Sequence, residues 1–234
     1  MNDSTRRKDA VSGNGSNRDV RYHKRDFWRE ENLKFVKPHF RLEKAARIIN
    51  RTAGGKECDL LDVGCGPATL RHFLDKNIHY YGIDIAIHNP GPNMIETDFV
   101  ENPIKFREKR FGIVIAQGFF EYVGAFQSQK FAEVRDLLTA DGIFIVSYWN
   151  FGHRKTNISA PVSNIQPLND FRNSLACYFN IDQSFPASHN WKHGMPSRKL
   201  VKAANMRVSM NIPLISPILG VEYFFICSLN SSST

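Results

Sequence analysis

Long apolar runs are missing from this chain: across 234 residues no stretch comes near the roughly 20 apolar residues a helix needs to cross a bilayer. The first residues are polar and of mixed charge, without the apolar core of a signal peptide. No membrane association is therefore expected. Cysteine is scarce. Cys58, Cys65, Cys177 and Cys227 form no CxxC pair and no regular spacing, which points to a reduced, cytoplasmic setting rather than a disulfide scaffold. A concentrated basic stripe is missing too. The formal net charge is +8, yet the charges are scattered, and the densest cluster, Arg6-Arg7-Lys8, lies in a Ser/Asn/Gly-rich segment. Such a pattern reads as solvated surface, so a nucleic-acid partner is not expected, whereas an anionic small substrate is compatible.

What is present suffices for one well-buried α/β domain with a short appendage. Residues 1–20 read as a disordered tail and 21–234 as a single domain. Within it, Leu42, Ala45, Ala46 and Ile49 follow helical spacing, and Pro38 divides residues 21–53 into two helices. Gly54-Gly55 closes the second of these. Strands are expected near Asp59–Val63, His79–Asp84, Met94–Thr97, Phe111–Ala116 and Gly142–Tyr148, with helices near Thr69–Lys76 and Gln127–Leu138. Pro90-Gly91-Pro92 reduces the connection after the second strand to a turn, and Asp141-Gly142 is a turn before the fifth strand. Strands alternating with helices imply a mostly parallel sheet. Arg207–Asn211 and Val221–Leu229 read as a terminal pair of strands. Residues 150–195 break the alternation, and their aromatics argue for an ordered segment of functional kind.

The most informative stretch is Leu60-Leu61-Asp62-Val63-Gly64-Cys65-Gly66-Pro67-Ala68. An apolar strand runs into a GxG loop, where glycine lets the backbone press against a ligand. A GxG by itself is also an ordinary turn, so its context must decide. A second apolar strand ends at Asp84, where a doubly wound fold places the carboxylate that holds ribose hydroxyls. Asp62 beside the loop would repel a pyrophosphate and favour a cation.

Here the chain resembles the class I S-adenosylmethionine-dependent methyltransferases, with Ala68 at the place of the pattern's third glycine, a position that serves close helix packing. The resemblance implies a Rossmann-like, doubly wound, mostly parallel seven-stranded sheet with an antiparallel C-terminal hairpin and a lid insertion after strand five. It implies S-adenosyl-L-methionine as cofactor and a small-molecule methyl acceptor. The helices of 21–53 would act as a lid, and 150–195 would cover the substrate. In this reading Asp62, Gly64, Cys65 and Gly66 meet the methionine part and ribose. Asp84 takes the ribose hydroxyls, with Ile85 beside it. Asp98 and Phe99 meet the adenine, although the same two residues also read as a helix cap and a core phenylalanine. Gln117 lines the cofactor through its backbone. Glu121 and Tyr122 stand in a segment that resembles the family's Leu-Glu-His-Val. Arg41 matches an arginine that meets the cofactor carboxylate in ubiquinone-pathway O-methyltransferases.

Asn150-Phe151-Gly152-His153 resembles methyltransferase-like proteins of methionine biosynthesis, and His153 there is the candidate general base, a turn-bonded histidine being the alternative. His189 and His193 flank Trp191, but the surrounding prolines and Gly194 oppose the helix a zinc pair would need, so no metal site is expected. Cofactor motifs leave the acceptor open. A non-catalytic or regulatory protein acting through a partner, or an RNA methyltransferase, remain the alternatives, and the oligomeric state is open.

Overall fold

The computed structural model describes residues 25–36, 40–88, 90–103, 106, 109–151, 165–189 and 220–230. Seven strands form one sheet: β1 (Cys58–Val63), β2 (Ile78–Asp84), β3 (Met94–Glu96), β4 (Phe111–Ala116), β5 (Leu138–Trp149), β6 (Phe179–His189) and β7 (Gly220–Leu229). Their order is β3-β2-β1-β4-β5-β7-β6. The first five are mutually parallel, and β7 runs antiparallel to both β5 and β6. The expected α/β sheet with its antiparallel C-terminal hairpin is thus observed. Four α-helices accompany it among the described residues: α1 (Arg25–Asn32), α2 (Phe40–Ala53), α3 (Gln127–Leu137) and α4 (Leu168–Ala176).

Both faces of the central strands are covered, which explains why they are apolar throughout rather than alternating. On one face Leu60, Ile113, Ile115, Ile145 and Phe224 pack under Ala45, Ala46 and Ile49, the apolar stripe of α2. On the other, Leu61, Val114, Phe144 and Val146 pack against Phe131 and Val134 of α3 and Phe171 and Leu175 of α4. That layer is largely aromatic. The rings of Tyr148 and Phe171 stack at 3.9 Å, and those of Phe120 and Phe131 at 4.6 Å.

Three elements differ from their sequence expectation. The helix expected at Thr69–Lys76 is only a 3-10 turn at Thr69–Phe73. Asn50 on α2 holds its end, donating to the Phe73 carbonyl and to Asp75, so the chain drops straight into β2. The turn expected at Asp141-Gly142 lies inside β5 as a bulge: Phe111 pairs with Leu138 but Ile113 with Ile143. A Cβ on Gly142 would stand 2.9 Å from the Thr139 carbonyl oxygen, so the bulge needs glycine there.

The third difference changes the expected insertion. Residues 179–189, read as part of a substrate cover, are the edge strand β6. Register shifts after Ile181 and Pro186 scramble the period-two pattern, and an edge strand tolerates Pro186. The strand expected at Arg207–Asn211 lies outside the described residues. So do the tail, His153, Trp191 and His193. Among the described residues no helix is long and apolar enough to cross a membrane.

Candidate functional site

A cavity of about 550 Å³ opens where β1, β2 and β4 end. That is the carboxyl edge of the parallel strands, where ligands of open α/β sheets bind, and the size suits a small organic ligand. Its wall contains Asp62, Gly64, Cys65, Gly66, Asp84, Ile85, Asp98, Phe99, Gln117, Tyr122 and Arg41. The fold therefore brings together all ten expected cofactor residues and one of the three expected catalytic ones.

The glycine loop is built differently from a phosphate cradle. The Gly64 and Cys65 amides both donate to the Ile83 carbonyl, at 2.9 and 3.0 Å, and the Gly66 amide donates to Asp84 Oδ2 at 2.8 Å. None of the three is left to grip an anion. The expectation that these residues offer backbone to a ligand is corrected to this extent: their donors are spent on β2 and its terminal carboxylate. Gly64 and Gly66 need positive φ, +73° and +53°. Ala68 adopts the same left-handed region, at φ +54° and ψ +32°. The absent third glycine thus sits at a backbone position made for glycine, not merely at a helix-packing contact.

Two carboxylates dominate the electrostatics. Asp62 accepts a hydrogen bond from the Tyr80 hydroxyl at 2.7 Å. Burial pushes its carboxyl up to about 7, opposed by that bond and assisted by the charge of Asp84. Asp84 is also raised, by burial first, although bonds from Ala86, Gly66 and Asn32 hold it down. Gln117 lines the cavity with a buried Oε1 that has no partner among the described residues. Asp98 accepts from the Val100 amide at 2.8 Å, so it caps a turn. Phe99 stacks on Phe119 at 5.6 Å, with the Lys130 ammonium 4.6 Å from its ring centroid. Both residues fill the structural role the sequence allowed while still lining the cavity.

Beneath the cavity lies a polar network that the sequence did not reveal. Arg41 Nη1 pairs with Glu222 Oε2 at 2.7 Å, and Glu222 is fully buried on β7. The Ser147 hydroxyl donates to Glu222 Oε1 at 2.8 Å and accepts from the Gly118 amide at 2.9 Å. Glu121 is not part of the cavity wall. Its Oε1 accepts from the Trp149 amide at 3.0 Å, its Oε2 has no partner among the described residues, and burial followed by the Glu222 charge pushes the carboxyl up to about 8. Tyr122 does reach the wall, edge-on to Trp28 at 4.9 Å, and burial raises its hydroxyl to about 12. Polar residues of the central chain carried no signal for this network, because their partners lie far away in sequence.

The segment 25–36, part of the region 21–53 expected as a lid, also contributes to the wall, through residues the sequence did not single out. Asn32, Trp28, Lys34 and Phe35 all border the cavity. The Thr69 hydroxyl donates to the Phe35 carbonyl at 3.0 Å.

The sequence matches the methyltransferase domain family over residues 38–183. No curated protein matches it. Solved structures are similar in fold. A chain of the complex between the Haloferax volcanii Trm112 methyltransferase activator and a methyltransferase is 13% identical, with a TM-score of 0.63 over 92% of this chain and 99% of that one. A SAM-dependent methyltransferase from Archaeoglobus fulgidus is 14% identical, with a TM-score of 0.59 over 86% of this chain and 99% of that one. The plantazolicin methyltransferase BpumL, in complex with SAH, is 13% identical, with a TM-score of 0.51 over 92% of each chain.

Proposed function

The chain belongs to the methyltransferase domain family, and from that premise we propose that it transfers a methyl group from S-adenosylmethionine to a small-molecule acceptor. One observation carries the reading. The strand-end cavity joins two carboxylates and an unpartnered carboxamide oxygen to a glycine loop whose amides are already spent. That lining suits a ligand bearing hydroxyl donors and positive charge, and it opposes a phosphate. Asp84 would hold the ribose hydroxyls, with Ile85 and Phe99 beside the adenine. Asp62 and the Gln117 carboxamide would receive the ammonium, and Arg41 the carboxylate.

The bound cofactor supplies a methyl group on a sulfonium, a centre that needs little further activation. The protein's part is then to bring the acceptor close, orient it and exclude water. Trp28, Phe119, Tyr122 and Trp149 give the cavity an aromatic wall for that purpose. At neutral pH the Tyr122 phenol keeps its proton, so it serves as a hydrogen-bond donor to the acceptor and not as a base. Glu121 acts through Trp149, whose amide it holds, and is a positioning residue. His153 is the proposed base for a nucleophile that starts protonated.

Calorimetry with S-adenosylmethionine tests the site. Micromolar binding by the wild type and its loss in Asp84→Ala are expected, and unaltered binding in the variant overturns the assignment. Transfer of labelled methyl to a panel of small acceptors then tests the activity. Steeply salt-dependent RNA binding would instead favour a nucleic-acid acceptor.

A further inference from the structure

Asp84 is already engaged before any ligand is considered. Its Oδ1 accepts from the Ala86 amide at 2.9 Å and from Asn32 Nδ2 at 3.1 Å, while Oδ2 accepts from the Gly66 amide. A carboxylate offers about four lone-pair sites. Both sites on Oδ1 are therefore in use, and only one remains, on Oδ2. A ribose diol gripped by both oxygens needs one site on each. The Ala86 and Gly66 amides are fixed parts of the loops after β2 and β1. The Asn32 carboxamide is the one donor that a side-chain movement can withdraw.

Asn32 is buried, 4% exposed, although it belongs to a short helix with no other buried residue. Its Nδ2 also donates to the Ala86 carbonyl at 2.9 Å. Its Oδ1 lies 3.4 Å from where a Cβ on Gly66 would stand. The segment around it is tied to three elements beside the cavity: Arg25 pairs with Glu96 at the end of β3, Trp28 meets Tyr122 after β4, and the Phe35 carbonyl accepts from Thr69 after β1. Residues 25–36 thus bridge the ends of β1, β2, β3 and β4.

We propose that Asn32 is a latch on the ribose site: its carboxamide occupies the Asp84 oxygen that a ribose hydroxyl needs, so an adenosyl ligand is held by both oxygens only after Asn32 and the strap of residues 25–36 yield. The proposal rests on the cofactor reading above. It makes Asn32 a determinant of affinity, one that favours ligands carrying an intact cis-diol able to displace it.

The test uses the full-length protein, its Asn32→Ala variant and S-adenosylhomocysteine as probe. Without ligand, Asn32→Ala should raise amide hydrogen exchange across 25–36 at least about tenfold, because a buried two-point contact is lost. The variant should also bind S-adenosylhomocysteine about three- to tenfold more tightly, chiefly through a faster on-rate. In the wild type the Asn32 side-chain amide resonance should shift when S-adenosylhomocysteine is added and stay put with an analogue lacking both ribose hydroxyls. This last measurement needs no variant and stands even if Asn32→Ala folds poorly. Unchanged exchange, or weaker binding by the variant, overturns the latch. Should exchange rise while S-adenosylhomocysteine binds neither protein, the contact between strap and Asp84 is upheld and the cofactor reading falls.

Discussion

Arg41 on α2 and Glu222 on β7 meet at 2.7 Å beneath the cavity, joining a helix on one face of the sheet to the strand beside β5. Glu222 is fully buried, while Arg41 keeps 23% of its side chain exposed. The Ser147 hydroxyl and the Gly118 amide extend the link to the loop that carries Gln117. The pair therefore orients the floor of the site as well as closing the sheet.

Removing one partner should cost more than removing both. Arg41→Met leaves the fully buried Glu222 carboxylate without its counter-charge, a change that typically costs about 3–5 kcal/mol. Arg41→Met combined with Glu222→Leu should lose much less. Urea unfolding of the singles and the double measures the difference, and a double variant as unstable as the sum of the singles would refute the coupling.

The glycine loop yields a second comparison. Gly64 has φ +73°, and a Cβ there would stand 3.0 Å from Phe119 Cδ2. Gly55 has a similar φ, +77°, with nothing within 4 Å. Gly55→Ala should therefore cost only the backbone strain, about 1 kcal/mol. Gly64→Ala adds an overpacking cost of about 1–3 kcal/mol and pushes on Phe119, which stacks on Phe99. Equal losses in thermal unfolding for the two variants would show that Phe119 gives way freely.

What the sequence disclosed about this site is what short spacing encodes. Asp62, the GxG loop and Asp84 announce themselves because an apolar strand, a turn and a second strand follow at fixed distances. Asn32 and Glu222 do not. Asn32 reaches its partner across 52 residues and Arg41 reaches Glu222 across 181, and nothing in an asparagine or a glutamate forecasts such a meeting. Strand β6 escaped for another reason. Phe179, Ile181 and Phe185 keep period-two spacing, but the bulge after Ile181 puts the first two in one core layer and Phe185 in the other, and Pro186 reads as a break. That proline is nevertheless used, since its carbonyl accepts from the buried Lys44 ammonium at 2.8 Å.

Acidity should govern both stability and binding. Burial raises Asp62 to about 7 and Glu121 to about 8, from 3.8 and 4.5. The folded state thus holds more protons than the unfolded one between these limits, and the slope of unfolding free energy with pH is negative there. The stabilisation is fully present below the unfolded values and is lost as pH rises through 7 and 8. Urea midpoints should fall steadily from pH 5.5 to 8.5, and a flat or rising series would contradict the burial of these carboxyls. Binding should run the opposite way. A cationic ligand prefers ionised Asp62, so affinity for S-adenosylmethionine should increase between pH 6 and 8, by up to about tenfold for a group titrating at the midpoint. Tyr80→Phe removes the hydrogen bond that favours the charged form, so it should move this rise to higher pH. Calorimetric titrations across that range, compared between wild type and Tyr80→Phe, check both the direction and the displacement.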